Sequence, residues 1–359
     1  MQKNQFVPKL IAWELTRTCN LDCIHCRASA SKGIYEGELT TEEVFRILKE
    51  ITEVSLPVII LTGGEPLLRK DLLEIAKRAV ELGLKPVLAT NGTLLTKELA
   101  LELKKVGIAR VSISLDGATP KAHDEFRKMP GAFEGSITGI KILKEIGLPF
   151  QINTTITAIN AEELPKVHTL AIELGAVAHH IFLLVPVGRG KEISSEALSP
   201  EKYEALLNWF YEQREKSSLH LKATCAPHYY RILRERAKEE GKVVNYETFG
   251  LDAVTRGCLA GVGFCFIGYN GIVQTCGYLE VPCGDLRKNT FKEVWENSPV
   301  FNQLRNFALY KGKCGQCEYI RVCGGCRARA YEATGDYSEE EPLCTYQPKK
   351  ANLLGQREF

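Results

Sequence analysis

Six short runs of β-branched and other apolar residues recur between residues 10 and 186, and segments of helical periodicity separate them. This alternation constrains the fold more than any other feature, because strands that alternate with helices pair in parallel through right-handed crossovers. The periodicity leaves two architectures open, a doubly wound sheet and an incomplete barrel. In both, functional residues are expected at the C-terminal ends of the strands. The predicted strands are 10–16, 58–62, 86–90, 110–115, 150–156 and 180–185.

The cysteine content is unusual, with 13 cysteines in 359 residues. A chain of this length does not need disulfides to fold, so in a reducing compartment this content indicates metal or redox chemistry. The N-terminus lacks the apolar core of a signal peptide, and no apolar run is long enough to span a bilayer, which predicts a cytoplasmic protein. The formal net charge of +2 gives no general attraction to nucleic acid or to a membrane, so neither is expected as a partner.

Three cysteines lie close together directly after the first predicted strand. Cys19, Cys23 and Cys26 are separated by three and by two residues. Three thiolates on a compact loop can hold an iron–sulfur cubane and leave one iron without a protein ligand, open to another molecule. The alternative is a zinc loop, but zinc requires a fourth ligand, and His25 is too close to the neighbouring cysteines to supply it easily.

This loop resembles the CxxxCxxC signature of radical S-adenosylmethionine (SAM) enzymes, in which it holds a [4Fe–4S] cluster that binds SAM. The resemblance implies an α/β fold that begins with a partial (β/α)6, TIM-like barrel rather than a doubly wound sheet. Further motifs follow in the same order along the chain as in this family. For the less specific of these positions, the alternative is an ordinary polar residue at the end of a strand. The resemblance assigns to SAM the turn Gly63, Gly64, Glu65 and Pro66, then Ser114, Asp116, Arg127, Asn153 and Thr155.

Each of these motifs has an expected contact with SAM. In the turn at 63–66, the two glycines permit a close approach of the backbone, and Glu65 supplies an acceptor for the methionine ammonium group. By resemblance, Ser114 and Asp116 face the ribose and the carboxylate, and Arg127 binds the carboxylate. Asn153 and Thr155 are further candidates for the ribose.

The C-terminal part contains eight cysteines whose pattern resembles the SPASM extension of peptide- and cofactor-modifying radical SAM enzymes, which carries auxiliary [4Fe–4S] clusters. Two residues, rather than the three that are usual in this extension, separate Cys323 from Cys326. A zinc ribbon is the alternative for residues 314–326. Cys225 and Cys283 fall outside the pattern and are interpreted as buried free thiols. By analogy, one cluster is expected on Cys258, Cys265, Cys276 and Cys326, and the other on Cys314, Cys317, Cys323 and Cys344.

These patterns divide the chain into four parts: a barrel at 8–190, a helical bridge at 191–250, a cysteine-rich cluster domain at 251–348 and a tail at 349–359. The cysteine-rich part has little periodicity. We therefore expect it to fold around bound metal rather than around an apolar core.

Several longer stretches, among them residues 221–231 and 323–331, resemble the branch of this family that makes haem b anaerobically. The resemblance runs from about residue 8 to 348. It implies conversion of iron-coproporphyrin III to haem b by oxidative decarboxylation of two propionates to vinyl groups, through a 5′-deoxyadenosyl radical. An auxiliary cluster would provide the exit for the surplus electron to an acceptor that the sequence does not identify, and a ferredoxin or flavodoxin would be the external donor.

A tetra-anionic porphyrin requires local cations and aromatic surface rather than a high net charge. His228 is a candidate ligand for the substrate iron, although a hydrogen-bonded turn residue is the more common role of a single histidine. Tyr229 and Tyr230 are candidates for packing on the ring. The candidate cations are Arg27, Arg189, Lys222, Arg231, Arg327 and Arg329.

Two other functions remain open from the sequence. One is a SPASM maturase that acts on a peptide or on a tungsten or molybdenum enzyme or cofactor. Many peptide maturases are expected to carry a recognition domain ahead of the barrel. The other is a non-enzymatic, zinc-stapled binding protein, which would leave the Gly-Gly-Glu-Pro turn and the first cysteine loop unexplained.

Overall fold

The computed structural model describes residues 6–349, so all but the first residue of the expected tail at 349–359 lies outside the described part. Ten strands form one sheet at the centre of the molecule. They are β1 (Leu10–Glu14), β2 (Val58–Thr62), β3 (Lys85–Thr90), β4 (Val111–Ser114), β5 (Phe150–Ile156), β6 (Ala178–Leu183), β7 (His220–Thr224), β8 (Phe264–Ile267), β9 (Ile272–Cys276) and β10 (Leu279–Asp285).

The order of the strands across the sheet is β10-β9-β8-β1-β2-β3-β4-β5-β6-β7. Every pairing from β8 through β1 to β7 is parallel, whereas β9 pairs antiparallel with both β8 and β10. The α/β fold with a partial TIM-like barrel is therefore confirmed. The bounds of β2 and β5 agree with the sequence prediction, and β6 begins two residues earlier than expected.

Helices connect the strands, and the longer ones bury one face. In the first of them, the side chains of Thr40 and Glu43 form a capping box that begins the helix, and its buried residues recur at a spacing of three or four. No helix in the described residues is long and apolar enough to cross a membrane. The helices are α1 (Thr41–Thr52), α2 (Leu72–Glu81), α3 (Lys97–Lys105), α4 (Pro120–Arg127), α5 (Ala132–Ile146), α6 (Leu164–Leu174), α7 (Pro200–Lys216), α8 (His228–Glu239), α9 (Tyr246–Phe249), α10 (Leu251–Val254), α11 (Phe291–Asn297), α12 (Pro299–Arg305), α13 (Gly312–Gly315) and α14 (Arg327–Thr334).

The expected helical bridge at 191–250 contains the helices α7 and α8, but it also contains a strand that the sequence analysis missed. Between α7 and α8 the chain forms β7, which pairs in parallel with β6 and adds a further strand to the barrel. Its sequence, His-Leu-Lys-Ala-Thr, is short and contains only two buried residues, Leu221 and Ala223. A strand this short shows little periodicity in its sequence. It forms a strand because its backbone pairs with that of β6.

The cysteine-rich domain also departs from the expectation that it lacks an apolar core. Phe291, Trp295 and Phe301 are fully buried and belong to the same hydrophobic core as the barrel strands. The indole Nε1 of Trp295 donates to the carbonyl of Phe6 at 3.0 Å, so the domain is anchored to the segment that precedes β1. The hydrophobic effect therefore contributes to its fold alongside any bound metal.

We predict that Trp295→Ala lowers the free energy of unfolding by about 3–5 kcal/mol, because it opens a large cavity in this shared core. The matched control is Leu309→Ala, since the Leu309 side chain is 47% exposed and its loss is expected to cost less than about 0.5 kcal/mol. Urea unfolding of the two variants measures the difference. Equal stabilities would contradict a core that spans both parts of the chain.

Candidate active site

A cavity of about 520 Å³ lies inside the barrel and extends to the cysteine-rich domain. This volume falls in the range of small-molecule sites, about 300–1,000 Å³. Residues from all of the strands β1 to β8 line its walls, and the loops that follow β1 and β2 line its rim. The C-terminal ends of the parallel strands therefore converge on it, as the sequence pattern predicts for this class of sheet.

The first cysteine loop lies at this rim. Cys19, Cys23 and Cys26 all line the cavity and belong to one small apolar cluster. Two backbone amides donate to their sulfurs, from Leu21 to Cys19 Sγ and from Ala30 to Cys26 Sγ, each at 3.4 Å. Burial raises the pKa of Cys19 to about 12, so the thiol keeps its proton until a metal replaces it. Three converging sulfurs with amide donors fit a [4Fe–4S] cluster with one open iron.

The glycines of the Gly-Gly-Glu-Pro turn are required by close packing on this loop. A Cβ on Gly63 would lie 2.4 Å from the carbonyl oxygen of Thr16, and one on Gly64 would lie 2.5 Å from that of Thr18. The amide of Gly64 donates to the Thr16 carbonyl at 2.7 Å. The glycines therefore permit a close approach of the turn to the backbone of residues 16–18, and their approach to SAM stays a prediction. The packing on residues 16–18 fixes the turn against the cysteine loop, and both glycines also line the cavity.

Glu65 does not present a free carboxylate to the cavity, so its contact with an ammonium group stays a prediction, and the structure shows a second role for it. Its side chain is fully buried. One oxygen accepts from Thr90 Oγ1 at 2.7 Å and from the Leu67 amide at 3.0 Å, and the other accepts from the Asn91 amide at 2.9 Å. Glu65 thus ties the turn to the end of β3. Pro66 is buried beside it and does not line the cavity.

Asp116 and Arg127 form a buried pair behind the cysteine loop. The Arg127 guanidinium lies 2.5 Å from Asp116 Oδ2, and its other nitrogen donates to Cys23 Sγ at 3.6 Å. Asp116 also accepts from the Thr155 amide at 2.7 Å and is fully buried. It was expected to face SAM, but it does not line the cavity. Arg127 does line the cavity, and Asp116 orients it. The other expected SAM residues that line the cavity are Ser114, Asn153 and Thr155.

Arg189 has a different role from the substrate contact that the sequence suggested. Although it lines the cavity, its guanidinium donates to the carbonyls of Cys23 and Ala30, each at 2.8 Å, and lies 3.0 Å from a carboxylate oxygen of Asp22. The neighbouring Gly188 has a φ of +54°, and a Cβ there would lie 2.5 Å from the Cys26 carbonyl oxygen. Both residues therefore hold the cysteine loop in place.

The C-terminal cysteines separate into two groups, and one expected member is misplaced. Cys258, Cys276 and Cys326 line the main cavity. Cys265 does not: it is fully buried in the main core, on the opposite face of β8 from Phe264 and Phe266. Its expected place beside the other three is therefore not supported. Cys225, which the sequence pattern left out, lines the cavity instead.

The second group of four lies together as expected. Cys314, Cys317, Cys323 and Cys344 line one small cavity of about 20 Å³. Backbone amides donate to three of these sulfurs at 3.4–3.5 Å, and Arg327 Nη2 donates to Cys314 Sγ at 3.4 Å. Across residues 6–349, no group of three or more His, Cys, Asp or Glu side chains is arranged to hold a single metal ion. Each group of cysteines is therefore defined by the cavity that its members line.

Four of the expected substrate residues lie away from the main cavity. His228 and Arg231 line the small cavity of the second cysteine group, and Arg231 pairs with Glu204 and Glu235. Tyr229 and Arg329 are buried and line neither cavity. None of these four residues is in the lining of the main cavity, and their contact with a porphyrin stays a prediction. The expected substrate residues that do line the main cavity, besides Arg189, are Arg27, Lys222, Tyr230 and Arg327.

Several residues of the cavity wall were missed from the sequence. Arg110 immediately precedes β4, Gln151 lies on β5, and His180 lies on β6 in register with Lys222 on β7. The sequence did show polar residues within otherwise apolar strands. Such a residue can be placed in the cavity only when it is known which face of the strand points into the barrel. Arg256, in the irregular segment before Cys258, carried no such signal.

Comparison with known proteins agrees with this arrangement. Residues 13–171 match the radical SAM superfamily model, and residues 258–327 match the SPASM model, an iron–sulfur cluster-binding domain. A structure of Streptococcus suis SuiB bound to S-adenosylmethionine aligns with a TM-score of 0.75 at 18% identity, over 95% of this chain and 78% of that chain. This likeness concerns the fold.

Two curated relatives are much closer in sequence. An AdoMet-dependent heme synthase of Oleidesulfovibrio alaskensis is 54% identical over 342 residues, which cover 95% of this chain and 88% of that protein. An AdoMet-dependent heme synthase of Methanosarcina barkeri is 54% identical over 343 residues, which cover 96% and 98%. The chain belongs to the radical SAM superfamily and, within it, to the SPASM-containing family that includes these two proteins.

Membership of this family decides between the alternatives left open by the cysteine patterns. The chain is an enzyme whose radical SAM domain binds a [4Fe–4S] cluster and SAM, and whose SPASM domain binds iron and sulfur through cysteines. The non-enzymatic zinc protein is therefore excluded.

We predict that Arg189→Ala weakens retention of the cluster on the first cysteine loop, because the loop loses contacts worth about 1.5–3 kcal/mol each. Iron content and the electron paramagnetic resonance (EPR) signal after gel filtration measure this loss. The control is Lys191→Ala, two residues away, which removes an exposed ion pair with Glu332 and should leave both values unchanged. Full iron retention in Arg189→Ala would show that the loop does not depend on Arg189.

Proposed function

We propose that this protein converts iron-coproporphyrin III to haem b by oxidative decarboxylation of two propionates to vinyl groups. The two relatives named AdoMet-dependent heme synthase, which match over nearly the whole chain, support haem synthesis as its activity. The choice of a porphyrin carboxylate as the reacting group is supported by the charge and polarity of the main cavity.

The charge of the cavity is the observation that carries the proposal. Its lining, within the described residues, includes six arginines and one lysine and no aspartate or glutamate. Arg27, Arg127 and Arg189 have acidic partners just outside the lining, Glu14, Asp116 and Asp22, so the excess positive charge comes from the other four cations. The whole chain has a formal net charge of only +2, so this excess is a local feature of the cavity. A cavity of this kind favours a polyanion such as a tetracarboxylate porphyrin. The seven cations are Arg27, Arg110, Arg127, Arg189, Lys222, Arg256 and Arg327.

The polarity of the barrel wall changes from one side to the other. Strands β1, β2, β3 and β8 contribute mainly apolar side chains, and strands β4 to β7 contribute mainly polar ones. An apolar wall suits the face of a macrocycle, and the polar residues that are not expected to contact SAM suit its carboxylates. The apolar side chains are Leu10, Ala12, Val58, Ile60, Val87, Ala89, Phe264 and Phe266, and the polar ones are Ser112, Gln151, His180, Lys222 and Thr224, besides Ser114, Asn153 and Thr155, which are expected to contact SAM.

Unused hydrogen-bond donors collect on the polar wall. Gln151 accepts from Arg110 at 3.3 Å and donates to His180 Nδ1 at 2.9 Å, which leaves the proton of the neutral His180 ring on Nε2. That nitrogen is buried and has no partner within the described residues. Lys222 lines the same wall, and burial lowers its pKa. A substrate carboxylate at this position would satisfy these donors and keep Lys222 protonated.

When bound, SAM and the cluster on Cys19, Cys23 and Cys26 supply a 5′-deoxyadenosyl radical. Removal of one hydrogen atom from the propionate carbon next to the ring, followed by loss of CO2, leaves a vinyl group and one surplus electron. Arg127 and the strand ends Ser114, Asn153 and Thr155 line the side of the cavity near the cysteine loop, so we assign them to SAM. The donors around Lys222 would hold a carboxylate of the porphyrin.

The surplus electron requires an acceptor. The SPASM cysteines that line the cavity hold iron and sulfur, which can take up single electrons. We propose a ferredoxin or a flavodoxin as the external donor that reduces the first cluster. We also propose a cytoplasmic location, because all thirteen cysteines are free and such thiols persist in a reducing compartment.

An anaerobic assay with dithionite, SAM and iron-coproporphyrin III tests the proposal. We expect the porphyrin to lose the mass of one formic acid at each of two propionates, in step with formation of 5′-deoxyadenosine. If 5′-deoxyadenosine forms while the porphyrin stays intact, the radical SAM chemistry stands and the porphyrin substrate is wrong. A maturase would then be the leading alternative.

We predict that Lys222→Met raises the KM for iron-coproporphyrin III about ten- to a hundredfold, because it removes a charge-assisted bond worth about 1.5–3 kcal/mol. The KM for SAM should stay the same, since Lys222 lies on β7, away from the cysteine loop that follows β1. Lys216→Met at the exposed end of α7 is the matched control. An unchanged KM for the porphyrin in Lys222→Met would remove Lys222 from the substrate site.

A further inference from the structure

We propose that Cys225, and not Cys265, is the fourth ligand of the auxiliary cluster on Cys258, Cys276 and Cys326. All four of these thiols line the main cavity and pack in one hydrophobic cluster, formed by residues of the SPASM domain and of the segment after β6. Cys265 belongs to the other, larger core of the molecule. The inference concerns a ligand of the iron–sulfur centre and does not depend on the identity of the substrate.

The placement of Cys265 is decided by the pairing of β8 with β1. Cys265 lies opposite Ile11 in the register of this parallel pair, and both side chains are fully buried in the main core. Successive side chains of a strand point to opposite faces, so Phe264 and Phe266 face the cavity and Cys265 cannot. Cys265 could face the cavity only if β8 slipped by one residue against β1. Such a slip would move every side chain of β8 to the opposite face of the sheet.

The backbone of Cys225 is held in an uncommon conformation at the end of β7. Its φ is +55°, in the left-handed region that non-glycine residues rarely adopt. Its carbonyl oxygen accepts from Tyr203 Oη at 3.2 Å and from Arg329 Nη2 at 2.5 Å. Strain of this kind costs about 1–3 kcal/mol and persists where the surroundings fix it, often at functional sites. Here it turns the chain after β7 so that Cys225 joins the other three cysteines.

A buried ion pair connects Cys225 to Cys326. Arg329, which donates to the Cys225 carbonyl, also lies 2.9 Å from Glu341 Oε1. The other oxygen of Glu341 accepts from the Cys326 amide at 2.5 Å. This chain of hydrogen bonds fixes the two cysteine backbones relative to each other, although they lie about a hundred residues apart in sequence. Arg329 and Glu341 are thus positioning residues for the cluster.

Four thiols from four separate segments suit a cubane whose four irons all have protein ligands. Each thiol loses its proton to solvent as it binds iron, so ligation requires no oxidant or reductant. Such a cluster has no open iron for substrate, and it is suited to electron transfer. Cys265 and its neighbour Cys283 then remain free thiols of the core.

The first test measures iron and acid-labile sulfide in the full chain with Cys19, Cys23 and Cys26 replaced by alanine, so that only SPASM-domain clusters contribute. We expect Cys225→Ala in this background to lower iron and sulfide by about four atoms each per chain, or to change the EPR spectrum of the reduced protein. Cys276→Ala is the reference for loss of this cluster. Cys265→Ala is the matched control and should leave iron, sulfide and the EPR spectrum unchanged.

The second test uses the chain without substitutions, and Cys265 in the same molecule reports any general unfolding caused by removal of the clusters. Cysteines are alkylated before and after iron is removed with a chelator and an oxidant and the thiols are reduced again, and mass spectrometry locates the label. We expect Cys225 to be protected with the clusters in place and labelled once they are removed, while Cys265 stays unlabelled throughout. Equal labelling of Cys225 in both states, or loss of cluster iron in Cys265→Ala with none in Cys225→Ala, would overturn the proposal.

Discussion

The parallel pairing of β8 with β1 is the constraint on which the rest of the structure depends. It joins four residues of the SPASM domain, from Phe264 to Ile267, to the first strand of the barrel, in register from Leu10 to Trp13. The cysteine loop follows β1 and the SPASM cysteines flank β8, so this one pairing brings two sources of redox chemistry to the same cavity. It also covers the edge of β1, which would otherwise offer unpaired backbone groups.

The same cavity has several positively charged side chains in its lining. Its acidic partners stand outside the lining: Asp116 holds Arg127, and Glu14 lies 3.3 Å from Arg27. Other arginines of the lining donate to backbone carbonyls or to sulfur, as Arg189 and Arg327 do. Buried cations of this kind are costly without a counter-charge. Anionic iron–sulfur clusters and an anionic substrate would provide it for the cations that have no acidic partner.

Much of the site was predictable because its determinants are local. The spacing of Cys19, Cys23 and Cys26 places three sulfurs on one short loop, and glycines 63 and 64 permit the close approach that the turn makes. Roles that depend on distant neighbours were not predictable. The carboxylate of Glu65 satisfies donors at the end of β3, and Arg231 pairs with glutamates of α7 and α8. Neither outcome can be inferred from spacing, because the partners come from other elements.

The sequence by itself determined the chemistry of this protein: the alternation of strands and helices, the cysteine loop after the first strand and the cysteine-rich C-terminal pattern together indicated a radical SAM enzyme with further iron–sulfur sites. The tertiary structure alone decided which residues share a cavity. Cys265 fits the family spacing but lies on the face of β8 that packs in the core, whereas Cys225 lies at the end of a strand that the sequence did not reveal. The physical reason is that spacing fixes contacts only within a loop or a helix. Contacts between strands depend on register and on the alternation of side chains between the two faces of the sheet.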